Sequence, residues 1–245
     1  MTGVQFGVDT PHSFRSALQR LDSAQKPGAG VPAYTRWVNR RVARVFAASF
    51  SRIGATPSMV SVVSIVFTGL GLAAFLVLQP VSPALAGLSA AVLLAVGYAL
   101  DSADGQLARL QGSSSLQGEW LDHTLDAIRL PAVHLVVAVA FLWIGLPVLA
   151  VAAAAFSVLA SASFLSQNVG GLLRDGARVQ RTEVRRLQSW ILLPTDPGVL
   201  CWVFALWAVL PLFTACYLAL LAANAAHVVL SSRRRWRELA QGSAR

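Results

Sequence analysis

The sequence predicts an all-α integral membrane protein: six transmembrane helices, preceded by an N-terminal amphipathic interfacial helix. Three observations lead there. Of 245 residues, 56% are hydrophobic and only 13% charged, where a soluble domain carries about a quarter charged residues. The apolar residues gather into six runs, each followed by a turn signal or a polar segment. The positive charge is also partitioned along the chain. No Lys or Arg lies near 80–83, 145–147 or 211, whereas segments 1–55, 101–129, 171–190 and 231–245 hold eight, two, five and five of the 20. Basic segments stay on the cytoplasmic side of a membrane. The expected protein is therefore multi-pass in the cell membrane with both termini cytoplasmic. Its net charge of +9 then answers to anionic lipid and not to nucleic acid.

The elements follow in chain order. Residues 1–30 are polar and mixed, with no apolar core or small-residue cleavage site, so they do not read as a signal peptide. Over 31–54, Val38, Val42, Val45, Phe46 and Phe50 share one side at helical spacing, with Arg36, Arg40, Arg41, Arg44 and Arg52 around the others. That pattern suits a juxtamembrane helix lying in the interface. Thr56 and Pro57 form an N-cap and first-turn pair that opens the first run, 58–79. Pro80 and Pro83 mark a turn. The second run, 84–100, leads straight into a polar stretch at 101–129, and the third is 130–144. Gly145 and Pro147 turn the chain into a fourth run, 148–166. A basic loop at 171–190 precedes the fifth and sixth runs, 197–210 and 212–230, divided at Pro211. The domain reading is a polar segment 1–30, the helix 31–54, a six-helix transmembrane unit 55–232 and a basic tail 233–245. Trp37, Trp120, Trp190 and Trp236 fall near the inner interface, and Trp143 and Trp207 near the outer one, as aromatic belts do. Cys201 and Cys216 sit in apolar runs and read as buried free thiols.

Five of the 11 acidic residues, Asp101, Asp104, Glu119, Asp122 and Asp126, fall within 26 residues where the second and third spans meet the cytoplasmic side. Ionisable groups in membrane segments are costly and mark function. Gly97, Asp101, Asp104 and Ala108 share one helical face. Gly118, Asp122 and Asp126 share another. A short connection makes the two helices antiparallel neighbours, so the acidic faces can oppose each other. Carboxylates so close cannot all ionise without cations between them, and oxygen-only donors suit Mg²⁺, Mn²⁺ or Ca²⁺. Gly105, Ala108 and Gly118 clear space for a ligand, and Arg109 supplies a forked donor for phosphate.

From Asp101 to Asp126 the residues read D-x2-D-G-x2-A-R-x8-G-x3-D-x3-D. This resembles the signature of the CDP-alcohol phosphotransferase (CDP-alcohol phosphatidyltransferase) family, integral membrane enzymes of phospholipid head-group synthesis. The six-span plan and basic interfacial helix are similar too, so the resemblance covers about 30–240. It implies that Asp101, Asp104 and Asp122 ligate two divalent ions, Mg²⁺ or Mn²⁺. Asp126 would be the general base toward the acceptor hydroxyl as well as a ligand of the second ion. Gly105 and Arg109 would contact the CDP part of the donor, and Ser115 matches a donor-touching hydroxyl. The segment from Thr56 through Ser58 to Ser61 resembles the donor-contact segment TPN-x2-[ST], with Ser58 where Asn is usual. The expected reaction moves a phosphatidyl group from a CDP-alcohol, CDP-diacylglycerol in the favoured reading, to a small alcohol acceptor, with release of CMP. Relatives form homodimers, which implies one here.

The acceptor is less defined. A phosphorylated acceptor needs cations. The candidates are Arg129, one turn beyond Asp126, and the loop residues Arg174, Arg178, Arg181, Arg185 and Arg186. His123 and His134 are candidates for lining its pocket. Two other classes stay open: a cation transporter with an acidic site, and a non-catalytic membrane homologue. The first wants polar residues on several spans with a path to the outer face. The second wants loss of one or more of the four aspartates, all of which are present.

Overall fold

The computed structural model describes residues 14–23, 30–176 and 186–242, without the side chains of 174–176, 186, 241 and 242. Every regular element among them is helical. Five helices are long and apolar enough to cross a membrane: α3 (Pro57–Leu78), α4 (Pro83–Gln111), α5 (Leu116–Trp143), α6 (Pro147–Gly176) and α9 (Leu210–Gly242). Before them come α1 (Phe14–Ser23), a π-helical turn (Thr35–Asn39) and α2 (Arg40–Arg52); α7 (Arg186–Ile191) and α8 (Pro197–Val203) lie between α6 and α9.

Local chemistry sets the boundaries. Thr56 accepts a hydrogen bond from the Met59 N–H at 3.3 Å and opens α3. Ser82 does the same for α4 from Leu85 at 3.4 Å. Both are followed by a proline at the first helical position, where its missing N–H costs nothing. The polar stretch extends α4 and α5 as expected and leaves only a four-residue turn, 112–115, between them.

Two boundaries differ from expectation. The fifth run, expected as a full span, is a ten-residue apolar helix, Pro197–Leu206. At about 1.5 Å per residue it covers about half of a hydrocarbon core. It follows α4 closely, because Asp196 bonds to Thr35, which reaches Tyr98, while Phe204 and Trp207 lie against Gly87 near the start of α4. Second, α9 begins before Pro211, which sits in its first turn, and continues through the segment read as a separate tail. An Arg234–Glu238 pair at 2.7 Å, one turn apart, helps carry it there. The basic-apolar helix is packed by Ala43, Ala47 and Ala48, all 0% exposed. The predicted apolar stripe divides: Val38, Val42 and Val45 are exposed, while Phe46 and Phe50 pack against the buried cluster. Alanine lets α2 approach α1 and α4 closely, so the larger valines are left for whatever surrounds the molecule.

Buried apolar residues form two clusters. One joins Phe75, Ala90, Val137, Phe141, Phe204, Trp207 and Phe213 toward the α3–α4 turn. The other joins Leu21, Ala43, Ala47, Val60, Leu100, Ala103 and Leu107 at the opposite end of α4. On α3 the buried polar residues Ser61, Ser64 and Thr68 fall between these clusters. The acidic faces of α4 and α5 meet at that level.

Candidate active site

The turn after α4 aligns the two acidic faces. The Ser113 N–H returns to the Ala108 carbonyl at 2.9 Å, satisfying the end of α4. Ser115 then accepts from the Gly118 N–H at 3.1 Å and opens α5. So tight a reversal places Asp101 of α4 opposite Asp122 and Asp126 of α5. One carboxylate oxygen from each of the three lies within 4.8 Å of the others.

Asp104, expected as an equal fourth member, stands beside this trio. It is 6% exposed and accepts a hydrogen bond from the Ser61 hydroxyl of α3. Ser61, expected to touch a donor, thus also orients an acid. The third helix can come this close because Gly97 lacks a side chain. A Cβ there would stand 2.7 Å from the Thr68 hydroxyl and 3.1 Å from the Ser64 carbonyl.

Arg129 is the cation of the cage. Its guanidinium lies 2.7 Å from Asp101 and 3.6 Å from Asp126 and donates to the Ser64 hydroxyl at 3.0 Å. Ser64 in turn donates to the Gly97 carbonyl at 3.0 Å. Arg129, expected to contact an acceptor phosphate, lines the second cavity, and here its guanidinium pairs with the carboxylates, as a buried charge needs an opposite charge within reach.

Two cavities meet at the acids. One, of about 850 Å³, is lined by every residue expected on the donor side: Ser58, Ser61, Gly105, Ala108, Arg109, Ser115 and Gly118, together with Asp104. Thr56 of the donor-contact segment lines it too, and so do Gln111, Ser113 and Ser114, which the sequence pattern does not single out. The other cavity, of about 530 Å³, is lined by Asp101, Asp126 and Arg129, and by His134, Thr35, Tyr98 and Asp196. Asp122 and His123 belong to both. His123 stands 3.9 Å from the Glu119 carboxylate and edge-on to Phe164. His134 is tied to the Tyr217 hydroxyl at 2.8 Å and stacked on Phe156, so packing holds it in the wall. The side chain of Arg174 and the whole of Arg178 lie outside the described residues.

The family model for CDP-alcohol phosphatidyltransferase matches residues 54–230. The chain belongs to the CDP-alcohol phosphatidyltransferase family. A curated relative, the archaetidylinositol phosphate synthase of Aeropyrum pernix, is 29% identical over 178 residues, which are 66% of this chain and 86% of that protein. As a CDP-alcohol phosphatidyltransferase the chain is a multi-pass membrane transferase of phospholipid synthesis. The family generally depends on divalent metal, and the donor set fits one. The trio offers only hard oxygen atoms, close enough to share an ion. The matched region holds both acidic helices, both cavities' shared edge and the Ser61–Asp104 contact.

Proposed function

We propose that the protein transfers a phosphatidyl group from CDP-diacylglycerol to a small alcohol, with release of CMP, at the cytoplasmic face of the cell membrane. One observation carries the reading: the carboxylates sit where two cavities join, with Asp104 on one side, Asp126 on the other and Asp122 in both. A phosphate placed there is open to a leaving group on the α3–α4 side and to an attacking group on the opposite side. In-line displacement needs that arrangement.

The donor cavity would take the cytidine diphosphate part. Arg109 provides a forked cation for phosphate, Ser58, Ser61 and Ser115 provide hydroxyls, and Gly105, Ala108 and Gly118 leave room beside the helices. Asp126 faces the other cavity, and we assign it the role of general base. The acceptor oxygen forms a bond to the phosphorus that carries diacylglycerol. The bond from that phosphorus to the bridging oxygen breaks, CMP leaves with the electron pair, and Asp126 takes the acceptor's proton. Asp101, Asp104, Asp122 and Asp126 would hold two Mg²⁺ or Mn²⁺ ions. What the ions supply when bound is neutralisation of the pyrophosphate and a lower pKa for the alcohol. Ser61 and Arg129 hold these acids in place. Acceptor recognition falls to His123 and the polar wall of the second cavity, with Arg174 and Arg178 as the cations for a phosphorylated acceptor.

In this reading the chain crosses the membrane six times, with both termini cytoplasmic. The stretch from Asp196 to Trp207, which tracks α4 from Tyr98 to Gly87, forms the regular part of the fifth crossing, and the residues on either side of it complete that crossing. The exposed valines of α2 face lipid. A homodimer belongs to the reading.

The test is purified protein with CDP-diacylglycerol, Mg²⁺ or Mn²⁺, and serine, glycerol phosphate, inositol or inositol phosphate in turn. CMP release and the mass of the lipid product are read. Acceptor-dependent CMP with a matching new lipid is expected. No CMP with any acceptor, alongside Mg²⁺ flux in proteoliposomes, would overturn the assignment.

A further inference from the structure

One buried carboxylate has no part in the transfer chemistry: Asp196, 2% exposed. Its Oδ2 accepts the Thr35 N–H at 2.7 Å, from 161 residues away in sequence. Its Oδ1 accepts the Thr35 hydroxyl at 2.9 Å and the Gly198 N–H at 3.0 Å. The Thr35 oxygen also lies 2.7 Å from the Tyr98 hydroxyl. Because the proton of Thr35 goes to the carboxylate, Tyr98 is the donor in that pair. A directed chain results, from Tyr98 to Thr35 to Asp196. Tyr98 stands one helical turn from Asp101 on α4.

The neighbouring contacts press the same two segments together. The Tyr34 ring occupies the space that a side chain at residue 198 would need, so only glycine fits there. The Trp202 indole donates to the Tyr34 hydroxyl at 3.0 Å. Thr35 also begins a π-helical turn, a backbone form that is rare and frequent at functional sites. Thr35, Tyr98 and Asp196 all line the cavity that contains Asp126, and none of them lines the donor cavity.

We propose that Asp196 is a positioning residue for the acceptor: through Thr35 and Tyr98 it clamps the 34–39 turn to the start of α8 and fixes the wall against which the acceptor alcohol is held. The inference rests on the transfer reading above. A purely mechanical tie between these segments would need no charge, since apolar packing holds segments together at least as well as a buried ionic group. A carboxylate that orders two hydroxyls does more: it fixes the direction of donors and acceptors on a cavity wall.

The experiment compares Thr35→Val, Thr35→Ser, Tyr98→Phe and Asp196→Asn with the wild type. It uses CDP-diacylglycerol, Mg²⁺ and whichever of serine, glycerol phosphate, inositol or inositol phosphate the wild type accepts. Thr35→Val should raise the acceptor KM about tenfold and leave the donor KM within about twofold. Thr35→Ser, which keeps the hydroxyl, should restore the acceptor KM, and Tyr98→Phe should give an intermediate value in the same direction. If Asp196→Asn does not fold, the Thr35 pair still decides the matter. Donor and acceptor KM rising together in Thr35→Val, or neither rising, would overturn the inference while leaving the enzyme reading intact. A wild type without acceptor-dependent CMP release would overturn both.

Discussion

Arg129 holds Asp101 at 2.7 Å while being only 7% exposed itself. This pairing joins α5 to α4 at the level of the acid cage, and the bond from Arg129 to Ser64 brings in α3. It makes the arginine an internal counter-ion to carboxylates that would otherwise repel one another.

Arg129→Gln should therefore destabilise the metal-free protein by about 3 kcal/mol, the usual cost of breaking a buried pair. Added Mg²⁺ should recover much of that loss, since a bound cation replaces the missing charge. Thermal unfolding in detergent with and without Mg²⁺ checks this. An unchanged Tm in the metal-free variant would mean that the pair is not a structural tie.

Asp126→Asn should retain CDP-diacylglycerol binding and lose turnover by about 10²-fold or more, the range for removal of a positioned base. Single-turnover CMP release, together with nucleotide-donor binding measured separately, makes the comparison. A variant with near wild-type rate would transfer the base role elsewhere.

Ser61→Ala removes the hydroxyl that Asp104 accepts from. A buried partner lost in this way costs about 1–3 kcal/mol. The expected result is weaker donor binding with the acceptor KM unchanged, because Asp104 lines only the donor-side cavity. Titration with CDP-diacylglycerol, alongside the acceptor series, reads both.

Chelation should abolish CMP release, and Mg²⁺ or Mn²⁺ should restore it, because the trio presents only carboxylate oxygens within 4.8 Å. Binding of Mn²⁺ followed by its magnetic resonance signal gives a readout independent of turnover. Substitution of Asp122, which borders both cavities, should weaken it most. Retention of full activity in excess chelator would remove the ions from the reaction.

The cavity proposed for the donor was legible in the chain because its parts are close in sequence. Asp101 through Asp126 occupy two helices and one turn, so helical periodicity alone brings Asp101, Asp104, Asp122 and Asp126 toward one region and sets Arg109, Ser115 and Gly118 beside them. All of the expected donor residues line one cavity. The cavity proposed for the acceptor was not legible, because its wall joins Thr35, Tyr98 and Asp196 from three distant segments. The only trace of Asp196 in the chain is a lone acid before Pro197 at the start of an apolar run.

The membrane character, the long helices and the acidic motif were determined by the sequence itself, because each rests on spacing within a few helical turns. The tertiary structure decided which partner each polar group takes. Arg129 turns to Asp101 and Asp126 when α4 and α5 meet, Asp104 turns to Ser61 when α3 packs beside them, and the apolar run after Pro197 stops short of a full-length helix. Periodicity fixes the face on which a side chain emerges. The charge or hydroxyl that satisfies it is settled only when buried groups from separate helices compete for one another in the absence of water.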